Sequence, residues 1–318
     1  MMSSHPAGTR QKKLFSQNDY LAPLPLPTGL QPVDSLNIIW RKNEVYLDIG
    51  CYSVGSAVMV IWPMMIMFLI MGYYSWNDDE WPIFIVCASA IIGIPTLMLV
   101  QGLLRPTPPP VRFNRQRREV CVPRDNGEYW IVPWESVTAA ATQCSSISQA
   151  GRVTVGLLFI GFENHDPEAS EDNKHFSMGF NCGGGETAMA LWECMRSYME
   201  TGPEAVPESR IGAMHYEKTQ IGSIVTSLRK GDVFDVLHGL FFVTILGTYL
   251  AEKLQNLKLS PPPDLEHPDI IEWSKSLPPE KWTTRSAELE IALASHAGSQ
   301  SINEWPATQE RATVTRCY

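Results

Sequence analysis

A chain of 318 residues has room for a membrane anchor together with one or two modest folded domains. Its net charge of -9 argues against the basic surface that nucleic acid requires, so no nucleic-acid partner is expected. Seven cysteines occur without Cys-x-x-Cys or Cys/His ligand spacing, so neither a zinc module nor a disulfide framework is expected.

Residues 1–48 read as a disordered and juxtamembrane cytoplasmic segment. They are polar at first and then proline-rich through Leu21-Ala-Pro-Leu-Pro-Leu-Pro27. Alternating prolines favour polyproline II and cannot build a core, so a disordered tail is favoured over a ligand for a partner's aromatic groove. The first apolar run starts near residue 49, too late for a cleavable signal peptide, and acts as an uncleaved insertion signal.

Residues 49–104 form a transmembrane hairpin. No charged residue occurs from Ile49 to Asn77 or from Trp81 to Leu104. About 20 apolar residues, at about 1.5 Å each, cross a hydrocarbon core of about 30 Å, so Cys51–Tyr74 and Trp81–Leu104 both qualify as spans. The turn Asn77-Asp-Asp-Glu80 is acidic and flanked by Tyr73, Tyr74, Trp76 and Trp81, as an interfacial aromatic belt would be. Arg41 and Lys42 precede the hairpin, and Arg105, Arg112, Arg115, Arg117 and Arg118 follow it. The positive-inside rule then puts both termini in the cytoplasm. Neither span holds an ionisable side chain of the kind that marks a transport path, so the hairpin reads as an anchor. Pro63 and Pro95 are predicted to bend their helices. Small residues at Cys51/Gly55, Ser53/Ala57 and Ser89/Gly93 are predicted to pack the two spans on each other.

After the stiff spacer Arg105-Pro-Thr-Pro-Pro-Pro110 the period changes from helix to strand. Val111–Phe113, Glu119–Val122, Tyr129–Val132, Val153–Phe162 and His175–Phe180 read as strands, with Asp125-Asn-Gly127 as a hairpin turn. Glu186–Glu200 carries the helical stripe Met189, Trp192, Met195 and Met199. Residues 109–202 are therefore expected to form a cytoplasmic antiparallel sheet closed by a helix, in a pleckstrin-homology-like (PH-like) order, and to fold alone. The run Gly183-Gly-Gly185-Glu-Thr187 lacks the ending of a nucleotide loop and reads as a strand-to-helix connection with Thr187 or Glu186 near its N-cap. The acidic loop from Glu163 to His175 matches no metal-binding spacing.

A proline spacer after a two-helix hairpin, then Phe113-Asn-Arg-Gln-Arg-Arg-Glu-Val120, then Val132-Pro-Trp-Glu135, resembles bacterial membrane-anchored PH-like proteins. More narrowly it is similar to an uncharacterised family of two-span proteins often encoded beside type VI secretion toxins. With the later Trp273, Leu277-Pro-Pro and Trp282 stretch, the resemblance covers roughly residues 40–290. It implies the bacterial inner (plasma) membrane, a protein partner that is a secreted toxin, and an immunity or accessory role. It carries no catalytic residues.

Residues 208–295 read as a helical C-terminal region, and 296–318 as a tail. Val236–Ala251 is charge-free but short for a span; a buried helix is favoured over one on the inner leaflet or a third span. The expected fold class is thus an α+β membrane protein: hairpin, PH-like sheet and helical C-terminal region. The expected function is a non-enzymatic, membrane-anchored protein-binding factor, with no catalytic residue, cofactor or metal. The alternatives are a lipid- or peptide-binding module unrelated to toxins, or an enzyme with an unrecognised site. Candidate binding residues are Arg115, Arg117 and Arg118, which suit anionic lipid heads or a partner, and the aromatic anchors Trp130, Trp273 and Trp282.

Overall fold

Alternation of apolar and polar residues along segments such as Tyr129–Pro133 and His175–Asn181 turns one face toward the core, and the described residues contain ten strands. The structure, a computed structural model, describes residues 5–52, 54–76, 79, 81–124, 127–148, 151–211 and 220–300. The chain forms two compact units, one from the described parts of residues 1–51, 109–209 and 264–315, the other from those of 52–108 and 210–263.

The first unit is α+β. In chain order its strands are β1 (Arg10–Lys12), β2 (Ser16–Ala22), β3 (Ile39–Lys42), β4 (Tyr46–Ile49), β5 (Val111–Asn114), β6 (Glu119–Pro123), β7 (Tyr129–Pro133), β8 (Thr138–Ser148), β9 (Gly151–Glu163) and β10 (His175–Asn181). They make two five-stranded antiparallel sheets, β1-β2-β8-β9-β10 and β3-β4-β5-β6-β7. Both contribute to one core, through Leu21, Ala139, Leu158 and Ile160 from the first and Ile39, Leu47, Phe113 and Val120 from the second. Helix α3 (Gly185–Glu200) closes it with Leu191, Trp192, Met195 and Tyr198. Trp192 stacks on Trp134 at 5.4 Å between ring centroids, and Trp134 meets Phe113 edge-on at 5.8 Å. Aromatic pairs of this geometry add to simple area burial.

Residues 1–48 are therefore corrected. Instead of a disordered tail, the segment supplies β1 to β4, and the proline-rich stretch follows a strand whose Leu21 and Ala22 are buried. Alternating Leu and Pro hid the signal, because Pro usually argues against a strand. The bounds 109–202 are corrected for the same reason: a domain cut there would lose four strands of its two sheets. The hairpin at 125–127 forms, with Pro123 opposite Tyr129 and Gly127 at φ +83, although Asp125 and Asn126 lie outside the described residues. Helix α3 starts at Gly185 behind the N-cap residue Gly184, which makes no side-chain cap bond, and Glu186 and Thr187 stand in its first turn, near the N-cap as expected. The glycine run also serves close approach: a Cβ on Gly156 of β9 would stand 2.1 Å from the Gly184 carbonyl carbon.

The span sequences interrupt a β-hairpin. Ile49 pairs with Val111 and Asp48 with Arg112, so residues 50–110 amount to one long insertion between adjacent antiparallel strands.

The second unit is helical. Helices α1 (Gly55–Tyr74) and α2 (Trp81–Leu104) are long and apolar enough to cross a membrane, and most of their side chains are exposed. Pro95 has no N–H to donate into its helix, and α2 widens to a π-helical turn over Ser89–Gly93 just before it. The spans meet through aromatic rings rather than the predicted small residues. Phe68 lies 5.8 Å from Phe84, a Cβ on Gly72 would stand 3.1 Å from the Phe84 ring, and nothing approaches Gly93. Ser53 lies outside the described residues.

Three further helices follow: α4 (Gln220–Lys230), α5 (Val233–Thr244) and α6 (Thr248–Leu259). The stretch Val236–Ala251 is not one buried helix. It breaks at Gly247, which has φ +67, and α5 buries no residue fully. In the first unit, α7 (Pro268–Trp273) and α8 (Ala287–Gln300) belong to a segment that runs back over the α+β fold, so the predicted helical region 208–295 is divided between the units.

Candidate functional site

Charged and aromatic side chains gather around the β5–β6 turn, Asn114-Arg-Gln-Arg-Arg118. The Asn114 side chain accepts from the Arg117 N–H at 3.2 Å, and Arg118 takes φ +52. This tight turn splays three arginines and Gln116 outward, and each meets residues 264–286, α3 or the stretch that follows it.

Asn114 Nδ2 and Arg117 Nε both donate to the Trp273 carbonyl at 3.0 Å. The buried Gln116 side chain accepts from the Leu277 N–H at 2.6 Å, and its carbonyl from Thr283 at 2.9 Å. Arg115 donates to the Thr201 carbonyl and lies 5.4 Å from the Trp282 ring centroid. Arg118 bridges Glu135 at 2.9 Å and Glu200 at 2.7 Å. Arg285 joins the same Glu200 at 2.6 Å, and the Trp134 indole donates to it at 2.9 Å. Burial works against the Glu200 carboxylate, yet Arg118, the Trp134 N–H and Arg285 together hold its carboxyl below the usual range.

A second network lies on the same sheet. Arg112 grips Asp48 through two bonds of 2.6 and 2.8 Å, then reaches Asp264 at 2.7 Å and Ser274 at 2.9 Å. Its guanidinium lies 3.7 Å from the Tyr46 ring centroid. Burial opposes both charges: it drives the Asp48 carboxyl up, while Asp48 holds the Arg112 cation more firmly than usual. The fork geometry, with Arg41 a further 3.5 Å from Asp48, makes the ion pair the operative state. Trp273 completes the seam. Its indole donates to Glu119 at 2.7 Å, and its ring packs with Cys121, Leu265 and Ile270.

Residues 264–286 thus form a strap held like a bound peptide, through carbonyls, forked arginines and one anchored tryptophan. The structure brings together five of the six candidate binding residues here: Arg115, Arg117, Arg118, Trp273 and Trp282. Each of the five contacts this chain's own residues. Trp273 is buried, and Trp282 is exposed at 37 %. Trp130 lies apart, buried beneath Arg124 at 5.0 Å. Sequence reading missed Asp48, Arg112, Glu135, Glu200 and Asp264. Arg112, a lone cation between Val111 and Phe113 in a strand pattern, was the available signal for a buried partner.

The hydrogen-bonding groups of the two networks are taken up by this chain's own residues. The buried thiol of Cys121 is pushed up to about 12 by desolvation, which keeps it protonated and weakly nucleophilic. In the acidic loop, Asp166 accepts from the Glu168 N–H and Glu171 pairs with Lys174 at 2.5 Å. Among the described residues, no three His, Cys, Asp or Glu side chains converge on a point that would hold a metal ion.

The sequence pattern of a family of unknown function (DUF6708) matches residues 86–256, which is more than half of the chain. No curated protein and no solved structure matches it.

Proposed function

We propose that this chain, which belongs to the family of unknown function DUF6708, is a non-enzymatic protein-binding factor held in a membrane by the α1–α2 hairpin. The observation that carries this reading is the strap. The outer face of β3–β7 already grips 23 residues of extended and helical chain, so it has the chemistry of a peptide-recognition surface. Fully buried charges there are matched, and such pairs favour register over bulk stability. Arginine and tryptophan are also the residues on which protein interfaces concentrate their energy.

On this reading the two five-stranded sheets and α3 serve as a PH-like binding module. The basic flanks favour both termini in the cytoplasm and the 77–80 turn outside, at a bacterial inner membrane. The resemblance to two-span proteins encoded beside type VI secretion toxins makes the partner a secreted toxin, and the role immunity or effector accessory. Confinement to the membrane raises the local concentration against a target acting there.

The test is capture of the full chain from gently solubilised membranes of its own host, with identification of the proteins that accompany it. A stoichiometric toxin-like partner supports the reading. A preparation that contains only this chain under binding conditions, with the toxin present, argues against it.

A further inference from the structure

Six large apolar side chains on α5 are exposed: Val233, Phe234, Leu237, Leu240, Phe241 and, at its end, Ile245. Their spacing, i, i+1, i+4, i+7, i+8 and i+12, puts them on one face. The other face packs on α4, where Gly239 allows Ile224 to come within 2.7 Å of the position a Cβ would occupy. The α5–α6 corner is seated on the first span. The Trp62 indole donates to the Thr244 carbonyl at 2.8 Å, and a Cβ on Gly247 would stand 2.7 Å from the Trp62 ring. At its far end α6 returns to the hairpin base, where Lys258 donates to the Arg105 carbonyl at 3.0 Å.

These contacts fix a depth. Trp62 lies seven residues into α1, about 10 Å from its start at about 1.5 Å per residue. Helices α5 and α6 have 12 residues each and change direction by 61° at the corner. Shared equally, that bend makes a shallow V whose arms, about 18 Å long, dip about 9 Å. The two depths agree. A third span would need the corner near mid-bilayer, about 15 Å deep, and would bury Glu252 and Lys253 just beyond it. The α4–α5 tip carries Arg229, Lys230, Asp232 and Asp235, which suits headgroups and not acyl chains.

We propose that α4, α5 and α6 form a re-entrant wedge in a single leaflet, with the Val233–Ile245 face on lipid acyl chains and Arg229 and Lys230 at anionic headgroups. The wedge rests on the reading of α1 and α2 as spans, and it would bind the chain to one leaflet as well as through it. Its occupant is phospholipid, because the face is continuous with the apolar surface of the spans through the Trp62 contact.

The full chain, reconstituted in vesicles of phosphatidylethanolamine and phosphatidylglycerol with an alkyne-tagged acyl chain, tests this. Leu237→p-benzoylphenylalanine should yield a lipid adduct on illumination, as should Leu97→p-benzoylphenylalanine in α2. An adduct at Leu97 with none at Leu237, or a crosslink from Leu237 to a second copy, overturns the wedge and leaves the anchor. No adduct at either overturns both. Sidedness separates a wedge from a span: Gly231→Cys and Ser260→Cys, with Cys51, Cys87, Cys144 and Cys317 replaced by serine, should react with an impermeant maleimide from the same membrane face. Reaction from opposite faces establishes a third span and overturns the proposal.

Discussion

Truncating Arg118 leaves Glu135 and Glu200 without the cation they share. Breaking a buried ion pair from one side typically costs about 3–5 kcal/mol, because the remaining charge stays desolvated. Arg118→Ala is expected to lower stability by about that much in urea denaturation, and Arg118→Lys to recover only part of it, since an ammonium cannot bridge two carboxylates as a fork does. Glu200 sets a pH dependence of definite sign. Its folded carboxyl titrates below the ordinary 4.5 despite burial, owing to Arg118, Trp134 and Arg285. Its contribution is therefore complete above about pH 4.5 and is lost as pH falls through the lower folded value. Thermal stability followed from pH 7 to pH 3 should decline below about pH 4.5, and Glu200→Gln should flatten that decline. A decline centred above pH 6 would assign the acid sensitivity to another group.

At the scale of elements, closeness between β9 and α3 is set by glycine. A Cβ at Gly156 meets the backbone of Gly184 and not a flexible side chain, so Gly156→Ala must push the helix off the sheet. The expected cost is about 1–3 kcal/mol, read as a lower midpoint in urea, with Gly183→Ala, whose site is open, separating backbone strain from collision. Much of this layer was legible. The strands from Val111 to Phe180 alternate, and the Met189–Trp192–Met195–Met199 stripe announces α3. What was not legible has physical reasons. Strands β1 to β4 are short and polar or proline-flanked, and are fixed by distant partners such as Ala139 to Cys144 and Val111 to Asn114 rather than by their own pattern. The strap is irregular, with its stability in side-chain bonds to one turn. Trp273 and the arginines were recognisable as interaction residues, but no local feature says that two ends of one chain meet.

For the whole molecule, the helical unit enters as two insertions. The first interrupts β4–β5, and the second leaves at Ser209, which hydrogen-bonds the Ile39 and Trp40 carbonyls, and ends at Asp264 on Arg112. Replacing residues 52–108 and 210–263 with short Gly-Ser loops is expected to give a water-soluble protein with one cooperative melt, whereas the fragment 109–202 should fail to fold. Such a soluble form should still bind the partner yet function poorly in cells, because the tether is gone.

The central claim is recognition without turnover, and one experiment bears on it most directly. His165, Asp166, His175 and Glu186 are exposed, and all four can be changed to alanine together without touching either core or strap. Co-expressed with the captured partner toxin, the full chain carrying these four changes should protect cells as well as the parent does. Loss of protection by a variant that still folds and still binds the toxin would contradict a purely binding role.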